Sequence, residues 1–245
     1  MNITRDMKMA DVIHHNYMLL PVITRFGINL GFGDKRVDKV CDENGVNLDF
    51  FLEITNSFVD DDYIPQKELD SFPVSLMIDY LKKTHHYYLD EKIPELEEMI
   101  NKMTSSIPTE KEKAGLIVNF FKQYRSELEH HIMREEKKVQ PYILEIEQAY
   151  INGLLPPGLQ SKIKAYSMQD FAGEHDNVEE KLYDLKNIII KYMPPSAEKS
   201  LCNSILIELF RLEKDLNAHA SLEDKVLIPK VANMETILLS KYRSS

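Results

Sequence analysis

Cysteine is nearly absent from this chain. Cys41 and Cys202 are the only two in 245 residues, and they form no Cys-x-x-Cys unit. Two isolated thiols do not make a disulfide scaffold. Both are expected to be small apolar packers. Tryptophan is missing and glycine is scarce, at 8 residues. A Gly-poor chain rich in Leu, Ile, Glu, Lys and Met favours helices over sheet. No run of about 18 apolar residues occurs, so no membrane span is expected. The N-terminus, Met1-Asn2-Ile3-Thr4-Arg5-Asp6-Met7-Lys8, has no long apolar stretch of a secretory signal. There is also no Lys/Arg block, and the formal net charge is −10. A phosphate backbone would find no cationic stripe to lie on, so nucleic acid is not expected as a ligand. A reduced, cytoplasmic setting is the expected localisation.

What the chain does have is a repeat. His131 and Glu135 stand four residues apart, followed by Glu136, Lys137 and Pro141. His219, Glu223, Asp224, Lys225 and Pro229 repeat that order 88 residues later. On a helix, an i, i+4 pair points to one face. Upstream, His86 precedes Asp90-Glu91-Lys92-Ile93, and His175 precedes Glu179-Glu180-Lys181-Leu182 at an offset of 89. Each half therefore supplies a lone histidine and then a His/Glu pair. The candidate metal ligands are His86, His131, Glu135, His175, His219 and Glu223. Four imidazoles and two carboxylates suit two iron-type ions. Buried without a cation, such a set would be costly. His85 and His130 fall outside the register and read as flanking groups. His14 and His15 have no sequence partner and read as solvent-exposed. Glu127 and Glu174 read either as groups orienting a ligand imidazole or as solvated acids.

The reading of fold is all-α: an antiparallel four-helix bundle over residues 73–240, preceded by a small three-helix domain over residues 1–60. In the small domain, apolar residues recur at helical spacing from Ala10 to Phe26. Asp34 is expected to cap a helix over 35–43, and Asn47 one over 48–58. Three short helices make a marginal core, so this domain is expected to pack on the rest or to pair with a second chain. Val59 to Pro65 reads as the linker. The four long helices are expected over 71–103, 109–150, 167–192 and from Ser196 to about Leu238. Pro94 is expected to kink the first, and 153–158 reads as a loop.

These motifs resemble the hemerythrin-like, HHE cation-binding family over about residues 73–237. The resemblance is carried by His86, His131-xxx-Glu135, Glu174-His175-Asp176 and His219-xxx-Glu223, in the family order. No fifth histidine is found, which makes the chain more similar to the iron–sulfur cluster repair di-iron proteins. Phe26 to Arg36 and then Val40-Cys41 resemble the small domain of those proteins, which has two adjacent cysteines where this chain has Gly31 and Phe32. The resemblance implies a non-haem di-iron centre, oxo- or hydroxo-bridged, with His86 and His131 on one iron, His175 and His219 on the other, and Glu135 and Glu223 bridging. It implies a small gaseous or peroxide ligand, nitric oxide or an oxygen species, met in nitrosative or oxidative stress, with damaged iron–sulfur proteins as partners. The alternative is a sensing module that binds oxygen or nitric oxide without turnover. An iron store ranks last, because ferritin-like sites use Glu-x-x-His spacing. The residues do not decide between turnover and reversible binding.

Overall fold

The computed structural model describes residues 2–60, 63, 71–106, 111–173, 178–193 and 197–243. The chain is all-α. Among the described residues the only β pairing is one antiparallel bridge, Lys8 with Arg36. Two compact units divide the chain, Met1–Thr84 and His85–Ser245.

The first unit holds helices α1 (Met9–His15), α2 (Leu19–Arg25), α3 (Val37–Glu43) and α4 (Leu48–Val59). The apolar run from Ala10 to Phe26 is two helices, broken at Asn16, whose extended backbone ends α1 and whose side-chain oxygen accepts from the Met18 N–H. Asn47 caps α4 by accepting from the Phe50 N–H. Asp34 does not cap α3: its carboxylate pairs with Lys8, and Arg36 takes the cap position. The core combines Met9, Val12, Leu19, Val22, Val40, Phe50 and Phe51. The rings of Phe26, Phe50, Phe51, Phe72 and Tyr80 meet there at centroid separations of 5.0–6.1 Å. Buried Asn56 ties down the N-terminus, accepting from the Ile3 N–H and donating to the Ile3 carbonyl. Most of the expected linker, 59–65, lies outside the described residues.

Helix α5 (Val74–His86) leads into the second unit. It continues through a π-helical turn, Tyr87–Lys92, into α6 (Ile93–Ser105). The next rod is α7 (Lys111–Arg134), a π turn at Glu135–Val139, and α8 (Gln140–Asn152). Short helices α9 (Pro157–Ala165) and α10 (Met168–Gly173) follow, then α11 (Val178–Tyr192). The last rod is α12 (Lys199–Leu222), a π turn at Glu223–Leu227, and α13 (Ile228–Arg243). Helix α7 packs on α6 and α11, α12 on α6 and α11, and α13 on α8 and α10.

The packing follows from spacing. Leu96, Ile100 and Met103 form one stripe; Ile117, Phe121, Tyr124, Leu128 and Ile132 form the second. Leu182, Leu185 and Ile189 form the third, and Ile205, Leu209, Leu212 and Leu216 the fourth. Every step is three or four residues, so each stripe stays on one helical face. Each such side chain contributes about 1.5–3 kcal/mol by leaving water.

The three π turns have one cause in common. Each ends two residues before a proline: Pro94, Pro141 and Pro229. A proline ring crowds the carbonyl four residues back and removes one N–H. Here those carbonyls belong to Asp90, Lys137 and Lys225, all inside the wide turns. Widening the helix there lets each rod pass its proline without stopping.

Candidate metal centre

Two rods present their ligands identically. In each, histidine sits in the last turn of the α segment and its glutamate is the first residue of the π turn: His131 with Glu135, and His219 with Glu223. Glu135, His219 and Glu223 are buried, and His131 is nearly so.

The third rod brings in His85. It is fully buried, whereas the His86 side chain is 73% exposed and meets Asp90 across one helical turn, at 3.1 Å. The sequence register chose His86; in the structure the inward position belongs to its neighbour. The reason lies in the helix surface. Met77, Leu81, His85 and Tyr88 form one buried stripe along α5 and the following turn, in steps of four, four and three. Exposed Lys82, His86 and Asp90 form the opposite, polar stripe. Counting backwards from the second half could not see this, because the offsets of the two halves already differed by one residue. The local apolar stripe could have.

The geometry converges. One ligand atom from each of His85, Glu135, His219 and Glu223 lies within 4.8 Å of every other. Glu135 spans two imidazoles, with Oε1 3.0 Å from His131 Nε2 and Oε2 3.3 Å from His85 Nε2. His85 Nε2 also faces His219 Nε2 at 2.9 Å, and the two rings are tilted by 46°. His219 Nδ1 stands 3.6 Å from Glu223 Oε2. His175, the remaining predicted ligand, lies outside the described residues, as does Glu174.

Sequence reasoning also missed Glu136. Its Oε1 is 3.0 Å from His85 Nδ1. A carboxylate only accepts, so this contact places a proton on Nδ1 and leaves the Nε2 lone pair facing the cluster. That lone pair meets a second imidazole nitrogen and a carboxylate oxygen, with Glu223 close by. A cation is what such converging lone pairs and buried negative charge accommodate. The donor set therefore fits a metal ion on its own chemistry. Below it, the Tyr88 hydroxyl donates to buried Asp215 at 3.2 Å, and the Tyr88 ring lies edge-on to His219.

The other candidates separate from the site. Glu127 pairs with Lys181 and accepts from Gln123, and the Lys181 ammonium holds its carboxyl below the usual range. It does not reach His131 through any of these bonds. His130, His14 and His15 are exposed. Cys41 is buried, and burial pushes its thiol up to about 12. Cys202 is half-buried, and its thiol is also raised by burial.

Fold and site together define a class: a helical bundle that gathers imidazoles and carboxylates into a cluster able to hold a cation. The chain belongs to the hemerythrin HHE cation-binding domain family, whose model matches residues 76–231. It is also similar to the iron–sulfur cluster repair protein ScdA of Staphylococcus haemolyticus strain JCSC1435. That similarity is 19% identity over 231 residues, covering 93% of this chain and 99% of the relative. Among the described residues no helix is long and apolar enough to cross a membrane.

Proposed function

We propose that this is a cytoplasmic non-haem di-iron protein of the cluster-repair type. It binds or reduces nitric oxide or oxygen species during nitrosative or oxidative stress. The ligands are His85, His131, Glu135, His219 and Glu223, with His175 added from sequence register alone. The single observation that carries the reading is Glu135, whose two oxygens face two imidazoles on different rods. That is the disposition a carboxylate needs to serve two ions at once. Iron held there supplies vacant coordination positions for a small gaseous ligand, and one-electron chemistry. The chain's own part is to fix the imidazoles by packing and to keep water out. Glu136 additionally sets the tautomer of His85. The similarity to ScdA, a repair protein by name, supports the repair branch and extends over 93% of the chain.

A second reading has its own support. Gly31 and Phe32 stand where the repair proteins' small domain has two cysteines, and neither Cys41 nor Cys202 is poised as a thiolate. A module that binds oxygen or nitric oxide and signals without turnover needs no thiol. Anaerobic loading with ferrous iron, followed by nitric oxide under reducing conditions, separates the two. Catalytic release of nitrous oxide supports turnover. A stable complex without product supports sensing.

A further inference from the structure

Behind the π turn that carries Glu135 lies a cleft of about 750 Å³. Its charge is opposite to that of the molecule. Among the described residues, Arg134, Lys137, Lys138 and Lys162 line it, against one acid, Glu145. Two of these cations are committed. Arg134 donates to the Tyr166 hydroxyl at 3.0 Å and lies over the Phe171 ring, and Lys162 pairs with Glu145 at 2.6 Å. Lys137 and Lys138 are exposed and have no ion-pair partner among the described residues. Apolar and aromatic groups complete the walls: Pro141 and Tyr142 from α8, Met168 and Phe171 from α10, and Tyr166 between α9 and α10.

A chain of net charge −10 that gathers four cations around one concavity has built a local positive potential. Two uncommitted ammonium groups recognise an anionic head, and a Tyr ring beside an apolar floor accepts a flat body. The volume falls within the range of small-ligand clefts, roughly 300–1,000 Å³. We propose that this cleft binds a small organic anion, a ring bearing a phosphate or a carboxylate. The two head groups share the chemistry that Lys137 and Lys138 would read.

The test is calorimetric titration of the full chain, iron-free, with phenyl phosphate and with benzoate. Neither arm depends on the metal, so a failed iron reading leaves this result standing, and the reverse. Saturable one-to-one binding of either probe, weakening as salt is raised, is the expected result. The stronger of the two identifies the head group. The double reversal Lys137→Glu/Lys138→Glu should weaken binding by at least about tenfold. Lys39→Glu/Lys102→Glu, with the same change in net charge elsewhere, should keep wild-type affinity. No saturable binding of either probe overturns the proposal. So does equal loss in both double variants, or wild-type affinity in the Lys137/Lys138 pair. An Asp/Glu-rich peptide binding about ten times more tightly than both probes would overturn the small-ligand occupant.

Discussion

At the residue scale, one position separates the proposed ligand from its solvated neighbour. His85 and His86 are adjacent, yet one is fully buried and the other is solvated. Replacing His85 by Ala should weaken iron binding by more than about a hundredfold, because even residues that only orient a ligand cost 10–100-fold. His86→Ala should retain wild-type iron content, measured by metal analysis after desalting. The opposite ranking would return the site to the sequence register. Thiol chemistry is settled by the same kind of local argument. With its thiol pushed up to about 12, Cys41 is a thiolate in only about one molecule in ten thousand at pH 8. Mass spectrometry of native protein treated with iodoacetamide should therefore find Cys41 unmodified and alkylated only after denaturation. Rapid native labelling would contradict its place in the core.

At the scale of elements, ends and joints carry the information. Helix α8 closes on Gly153, which sits at φ +66° and so in the left-handed region. A Cβ there would meet nothing within 4 Å, so the cost of Gly153→Ala is the backbone strain alone. It should lower stability by about 1 kcal/mol, read from chemical unfolding, with the m-value unchanged. Further along, α8, α10 and α13 are joined by one buried carboxyl. Glu235 accepts from the Tyr142 hydroxyl and from the Met168 N–H. Burial raises its pKa above the ordinary carboxylate value, more than these bonds lower it. A folded-state value above the unfolded one stabilises the fold below the unfolded value. That stability is lost as pH rises through the folded value. Glu235→Gln should therefore gain stability on wild type between mildly acidic and neutral pH. Parallel melting curves for the two proteins across that window would refute the assignment.

Much of this scale was readable from sequence. The rods, the cap at Asn47 and both His/Glu pairs follow from spacing, because helical periodicity and capping chemistry are local. The π turns were not readable: a proline announces a disturbance but not whether the helix kinks, stops or widens. The break at Asn16 and the pairing of Asp34 with Lys8 were missed for a related reason. An Asn or Asp can cap, turn or pair, and tertiary partners choose among these. Helix α9, Pro157–Ala165, was missed, since the Gly153–Gly158 segment reads as loop and the next helix was expected only from Ser167. Glu136 was invisible because its partner, His85, is 51 residues away.

At the scale of the whole molecule, the duplicated hairpin is the organising fact. It places Glu135 and Glu223 at the same point of two π turns and lets rods separated in sequence share one buried cluster. Family membership and the long, weak similarity to ScdA agree with that architecture. The proposed ions, bound only by the folded chain, would stabilise it.

The most direct measurement is iron stoichiometry. Full-length protein would be loaded anaerobically with ferrous iron, desalted, and analysed for iron per chain. The account predicts two irons per chain in the wild type and a marked loss in His85→Ala. Wild-type protein that emerges with no iron, or that holds iron unchanged when His85 is removed, would contradict it.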